Sequence, residues 1–376
     1  MKLVPLNEVA DIQLGKMLSP KAKAGESPFP YLRNQNVQWG RINLSDLAVM
    51  HFSAREREKF ELRSGDLLVC EGGEPGRCAV WGQSEMACYY QKALHRIRPR
   101  EGMADSEFLS LWLRYQAYIG SFEDQNAKTT ISHLPLVRLQ QLQVPTIPIV
   151  TQQRIAAQLK AQLAAVEQAR QAAQAEVQEL TNLANAIVHE SLDHAEVETT
   201  TLGHGLDEIK QGIGETWAQY PVLGATRDGL ALAKEPVGKK PGRYKPVWPG
   251  TVFYNPMRIL IGSIAMVDAG DTPGITSPDY VVLKGRENIM DSRWFYYWLR
   301  SPHGERCILS LARGAVRERM LFNRLAEGKI EIPPYPVQLA ASRALAQIRP
   351  LEAKIEMQLS EIEVLPTRLL AQTFQD

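Results

Sequence analysis

The chain has 376 residues, 44% of them hydrophobic, with 43 Lys/Arg against 42 Asp/Glu, which leaves room for two or three globular domains. A net charge of +1 does not advertise a nucleic-acid binder, and no window approaches the 18 uninterrupted apolar residues of a membrane span. The opening MKLVPLNEVADIQLGK lacks the apolar run of a signal peptide. Cys70, Cys78, Cys88 and Cys307 contain no CxxC pair, which argues against a zinc site and a disulfide framework and for a reducing cytoplasm.

Residues 1–147 predict a mixed α/β domain. Short strands are expected at Asp66–Cys70, Cys78–Trp81 and Ala93–Ile97, separated by Gly/Pro turns such as GGEPG at Gly72–Gly76. A helix follows around Ser106–Ile119, with Ser106 as N-cap. The clamp VPTIP (Val144–Pro148) then predicts a stop in regular structure. From Thr151 to Leu192, Ile155, Leu159, Leu163, Val166, Ala173, Val177, Leu180, Ala184 and Ile187 recur at spacings of three, four or seven, a coiled-coil seam. Such a helix spans roughly 60 Å, too long for the interior of a domain this size.

The second half repeats this plan. SEFLSLWLR (Ser106–Arg114) returns as SRWFYYWLR (Ser292–Arg300), 186 residues later. YLRNQNVQWG (Tyr31–Gly40) returns in spacing as YPVLGATRDG (Tyr220–Gly229), and the first clamp returns as IPPYP (Ile332–Pro336). Strands are expected at Thr251–Tyr254 and Ile264–Val267, a helix at Ser292–Leu299, and a second seam at Ile348, Ile355, Leu359, Ile362 and Leu369, kinked or broken at Pro350 and Pro366. Pairing Arg154 with Arg343 and Leu192 with Phe374 makes the second helix shorter by seven residues, one heptad, which would keep an apolar seam in phase. The expected class is therefore α+β: two mixed α/β domains separated by two long helices that form an antiparallel coiled coil, with an internal pseudo-two-fold repeat. The expected divisions are residues 1–147, 148–198, 199–335 and 336–376. A period of half the chain is too long for a solenoid.

Charge follows the same plan. Residues 1–147 carry +2 and residues 201–335 carry +4, whereas residues 148–200 carry −4 and residues 336–376 carry −1. Catalytic signatures are missing: no G-x-S-x-G, H-E-x-x-H or phosphate-binding G-x-x-x-x-G-K-[ST] occurs. Asn255-Pro256 begins like the Asn-Pro-Pro-aromatic loop of amino-methyltransferases, but Met257 and Arg258 follow. The seven histidines are scattered. The chain reads as a binder rather than an enzyme.

The candidate binding residues sit in loops. Gly72–Arg77 serves equally as a hairpin turn or as a loop that approaches a duplex, with Arg77 reaching a phosphate or guanine. KKPGRYK places Lys239, Lys240, Arg243 and Lys245 around Tyr244, fit for phosphate contact or for a solvated loop. Arg33, Asn34, Gln35 and Asn36 offer amides suited to adenine. Lys128, Thr129 and Thr130 correspond in place to Arg317 and Arg319, and Arg227 and Arg258 complete the set.

On these features the whole chain resembles a type I restriction-modification specificity subunit. The resemblance is carried by CEGGEPGRCAVW (Cys70–Trp81), VFYNPMRILIGSIAMV (Val252–Val267), ITSPDYVVLK (Ile275–Lys284), the two Trp-Leu-Arg helices and the two clamps. It implies two target-recognition domains, each reading one half of a split, asymmetric sequence in double-stranded DNA, and helices that set the gap and dock two methyltransferase subunits. It implies no cofactor in this chain. S-adenosylmethionine belongs to the methyltransferase partners, and ATP and magnesium to motor-nuclease restriction subunits. The alternative is a DNA-targeting adaptor of another phage-defence modification system.

Overall fold

The computed structural model describes residues 2–23, 28–82, 87–123, 133–193, 196–312 and 319–375. By internal contacts it divides into two units, Met1–Gln171 with Ser360–Asp376, and Ala172–Leu359.

The first unit is built on a four-stranded antiparallel sheet in the order Ala10–Leu14, Leu94–Pro99, Leu67–Cys70, Cys78–Val80. The strand Leu67–Cys70 is buried throughout, and its side chains alternate between two cores, as a period of two requires. Leu67 and Val69 join the core under the helix Ser106–Tyr118, with Phe108, Leu109 and Trp112. Leu68 and Cys70 join the opposite core, with Phe52, Tyr89 and Tyr90. That second core is covered by a three-stranded sheet of Ala48–His51, Pro28–Leu32 and Tyr89–Tyr90.

The second unit repeats this frame with strands Leu206–Glu208, Val281–Gly285, Thr251–Tyr254 and Ile264–Val267 in the same order. Val252, Ile264 and Leu283 pack with Trp294, Phe295 and Trp298 of the helix Ser292–Arg300. Phe253, Ala265 and Val282 face the other way. Strands at Thr251–Tyr254 and Ile264–Val267 are where the sequence places them.

The long helix runs Ile149–Asp193 and the last one Ile348–Gln375. In the first unit Ala156 and Leu159 share a core with Leu370 and Phe374. In the second, Ala184, Val188 and Leu192 share a core with Leu345 and Ile348. Each unit thus joins the start of one helix to the end of the other, the order of an antiparallel pair. The Ile155–Ile187 seam is buried or half-buried throughout.

Four expectations need correction. Asp105, not Ser106, caps the first Trp-Leu-Arg helix, its carboxylate accepting from Phe108 N at 2.9 Å; Ser106 turns its hydroxyl to Gly65 O instead. The clamps stop regular structure only at Ile147–Pro148 and Pro333–Pro334, between a strand and a helix. Gln143–Thr146 pairs with Lys2–Pro5, and Lys329–Ile332 with Glu198–Thr201. Pro145 is tolerated because a two-stranded sheet leaves every strand an edge. The helix does not break at Pro366, which lies inside it. The interruption falls instead at Ala346–Gln347, so Pro350 sits in the first turn of the last helix, where a missing N–H costs nothing. Finally, the helix starts correspond through Gln152 and Gln338, 186 apart rather than 189. Against Leu192 and Phe374, 182 apart, the deficit is four residues, about one turn.

Candidate nucleic-acid interface

In each unit the loop after the central strand meets a hairpin and a late segment of the domain. In the first unit this loop is Glu71–Arg77. Gly73 and Gly76 hold φ of 77° and 88°, the left-handed region that glycine enters without strain. A Cβ on Gly76 would stand 2.3 Å from the Phe122 ring. Asn34 Nδ2 donates to Gly72 O at 2.7 Å, and Arg77 Nη2 donates to Asn34 O at 3.1 Å. Arg77 also pairs with Glu74 at 3.1 Å, and Glu74 accepts from Trp39 Nε1 at 2.6 Å. Leu134 N donates to Glu71 O at 2.7 Å, closing the loop from the other side. The guanidinium of Arg114 lies 6.0 Å from the Trp39 ring centroid, and burial lowers its pKa. Two segments separated by about forty residues, Arg33–Asn36 and Gly72–Arg77, therefore form one surface.

The residues on that surface divide by what they already hold. Asn36 is 2% exposed, and its amide donates to Asn43 O at 3.0 Å and Asp46 O at 2.9 Å while its Oδ1 caps Arg33 N at 2.8 Å. Every atom of that amide is engaged, so Asn36 braces the turn and offers no base contact, a correction to the sequence reading. Arg33 pairs with Asp46 at 2.7 Å, and Gln35, which is exposed, donates to the same carboxylate at 3.0 Å. Among the described residues Asn34 Oδ1 and Arg77 Nε have no partner. Burial pushes the Cys70 thiol beneath them up to about 11, against the opposing charge of Arg77, so it behaves as an inert hydrophobe.

The corresponding loop of the second unit is Asn255–Ser263. Met320 N donates to Pro256 O at 3.0 Å, matching the Leu134 bond of the first unit. Arg300 Nη2 donates to Arg227 O at 2.8 Å, and its Nη1 to Ile264 O at 3.0 Å, so one guanidinium ties the hairpin Leu223–Leu232 to the loop. Together they line a cavity of about 880 Å³ that includes Arg227, Arg258, Ser263, Arg300 and Glu305. The side chains of Arg227 and Arg258 are exposed and have no partner among the described residues. Lys239, Lys240 and Arg243 are likewise exposed. Tyr244 and Lys245 are held by the fold more than the sequence suggests. Tyr244 is 8% exposed and its hydroxyl accepts from Gly238 N at 3.0 Å. Lys245 donates to Tyr280 O at 2.6 Å, and burial lowers its pKa. Arg319 is exposed and pairs with Asp279 at 3.1 Å. Lys128, Thr129, Thr130 and Arg317 lie outside the described residues.

The sequence reading missed Arg114 and Arg300 as site residues. Their signal was present, since each ends a repeated Trp-Leu-Arg helix. It also missed Trp39, whose indole N–H joins the two segments of the first surface.

Among the described residues no group of three metal-binding side chains occurs, and no helix is long and apolar enough to cross a membrane. What remains is two polar, partly basic loop surfaces on duplicated frames. Residues 1–177 match the family model described as the type I restriction modification DNA specificity domain. Over its whole length the fold is similar to three solved chains. One belongs to work on complex assembly and conformational transition of a type I R-M system, with a TM-score of 0.68 at 16% identity, covering 99% of this chain and 97% of that one. The type I restriction-modification S subunit of M. genitalium gives 0.50 at 16%, covering 100% and 96%. The HsdS subunit of Thermoanaerobacter tengcongensis gives 0.53 at 17%, covering 100% and 96%. At these identities the likeness is one of fold. No curated protein matches the chain.

Proposed function

We propose, from a first half that matches a type I DNA specificity domain and a whole-chain fold like that of type I S subunits, that this chain is the DNA-reading specificity subunit of a type I restriction-modification complex. Residues 1–147 and 199–335 each read one half of a split, asymmetric target. The helices of residues 148–198 and 336–376 set the unread gap and dock methyltransferase subunits. Chemistry belongs to those partners and to a restriction subunit, with S-adenosylmethionine, ATP and magnesium as their cofactors.

The observation that carries this reading is one sheet-and-helix frame built twice, with different side chains on the two loop surfaces. Like frames with different readers suit a bipartite target whose halves differ. A modest net charge is compatible with it, because base-edge contacts rather than phosphate contacts carry sequence information.

The test is methylation by the purified chain alone and with its methyltransferase partner. The chain alone is expected to transfer no methyl group, and the mixture to modify one bipartite motif; transfer by the chain alone would overturn the assignment. Inserting four residues after Ala173, roughly 6 Å of helix, is expected to lengthen the gap and leave both half-sites unchanged.

A further inference from the structure

One buried polar contact is built identically in both units and is used by neither loop surface. Gln152 is 1% exposed and Gln338 is 0% exposed. Gln152 Oε1 accepts from Asp105 N at 2.9 Å, and its Nε2 donates to Met103 O at 3.1 Å and Ile147 O at 2.9 Å. Gln338 Oε1 accepts from Asp291 N at 2.8 Å, and its Nε2 donates to Ile289 O at 2.9 Å and Pro333 O at 2.8 Å. The partners correspond one for one across the 186-residue repeat.

Each set of three bonds joins three segments. Asp105 and Asp291 are the N-caps of the Trp-Leu-Arg helices, accepting from Phe108 N at 2.9 Å and Trp294 N at 2.8 Å. Met103 and Ile289 lie in the turns before those caps. Ile147 and Pro333 follow the strands that close each domain. The glutamines themselves stand in the first turns of the helices Ile149–Asp193 and Tyr335–Leu345. The amide thus binds a domain's main helix, the domain's closing strand and the outgoing helix at one point.

Apolar contacts would hold these segments together but would not fix their angle, because the hydrophobic effect is non-directional. A buried amide with all its bonds made is directional. Rotating or sliding the outgoing helix breaks the set and leaves buried polar groups unpaired, at a cost that an apolar contact does not impose. We propose that Gln152 and Gln338 are positioning residues that fix the angle of each recognition domain on its own helix, and so the gap length the complex accepts. This rests on the specificity-subunit reading above.

The experiment uses the full chain with its methyltransferase partner. Gln152→Met and Gln338→Met keep the side-chain volume and remove the bonds. DNA targets carrying the native half-sites are offered with the native gap and with gaps one base pair shorter and longer, and methylation is read at each. A misplacement of about 1 Å can cost up to about a hundredfold in rate, so the preference for the native gap is expected to fall about tenfold in each variant, with half-site bases unchanged. Methylation that falls equally on all three gaps would show a stabilising role only and overturn the proposal. Should a Met variant not fold, Gln152→Glu and Gln338→Glu keep the acceptor for Asp105 N and Asp291 N and lose both donations; an unchanged gap preference in the folded variant overturns the proposal equally. Wild-type protein that modifies no bipartite target would defeat the specificity-subunit reading itself, a separate outcome.

Discussion

Arg77 and Arg258 occupy corresponding loops and are held differently. Arg77 is tied to Glu74 and to the carbonyl of Asn34, so its guanidinium has one orientation before any ligand arrives. Arg258, and Arg227 across the same cavity, are exposed without side-chain partners among the described residues. The frames beneath them are alike down to the strand order and the capping aspartates. The comparison separates two tasks. The frame is specified by burial and repeats; the loop surface is specified by which polar atoms are already used. A fixed guanidinium suits a directional contact with a base edge, while free ones suit phosphates, which need charge more than angle.

The largest test asks whether the frames are energetically equal. Trp112 is 6% exposed and Trp298 3%, each in the helix core of its unit. Replacing either by Ala is expected to cost about 3–5 kcal/mol, measured by denaturant unfolding; a large loss in one unit alone would break the equivalence. The next asks whether the arginines differ as proposed. Arg77→Ala is expected to cost about 1–3 kcal/mol on cognate DNA and little on other sequences, whereas Arg258→Ala weakens both alike. Equal behaviour of the two variants in titrations on cognate and scrambled duplexes would erase the distinction. The basic loop gives a smaller effect. Changing Lys239, Lys240 and Arg243 to Ala is expected to flatten the slope of log K against log salt by at most roughly 0.9 for each phosphate left without its cation. Lys245→Met should flatten that slope less than loss of the exposed lysines does, since its half-buried ammonium already spends one N–H on Tyr280 O.

The smallest test concerns pH and the first unit. Burial of Glu56 favours its neutral form, but Lys16 at 2.8 Å and the Ser53 backbone and hydroxyl more than offset this, holding its pKa at about 2 against an ordinary 4.5. A carboxyl lowered on folding stabilises above its unfolded pKa and loses that contribution as pH falls through the folded value. Thermal unfolding should therefore lose a contribution between about pH 4.5 and 2 that Glu56→Gln lacks throughout; parallel curves for variant and wild type would contradict this.

Much of the frame was legible because it is periodic. Thr251–Tyr254 and Ile264–Val267 are apolar runs between turns, and the seam from Ile155 to Ile187 keeps one face of a helix. The interruption at Ala346–Gln347 was not, because Pro350 and Pro366 were weighed as breakers when the first turn excuses one and the helix runs through the other. In the loops, Asn36, Tyr244 and Lys245 look like ligand-seeking residues in a string of letters. Their partners, Asp46 O, Gly238 N and Tyr280 O, are chosen by the fold rather than by spacing. Gln152 was hidden among the many glutamines of its helix, and Gln338, the one glutamine of Tyr335–Leu345, belongs to no motif that marks it as buried.

The pairing of Lys2–Pro5 with Gln143–Thr146, and of Glu198–Thr201 with Lys329–Ile332, places the beginning and end of each domain side by side. A segment whose two ends share a doorway can be removed and replaced without stretching what surrounds it, as in domain insertion and circular permutation. Here the doorway is a main-chain strand pairing that many sequences can supply, Pro5 and Pro145 included, because each strand of a two-stranded sheet keeps a free edge. Each domain is thus a cartridge with a standard fitting. Segments between the two paired strands are expected to be exchangeable where the incoming domain keeps the side chains that pack on Leu159 and Phe374, or on Val188 and Leu192, of the host helices.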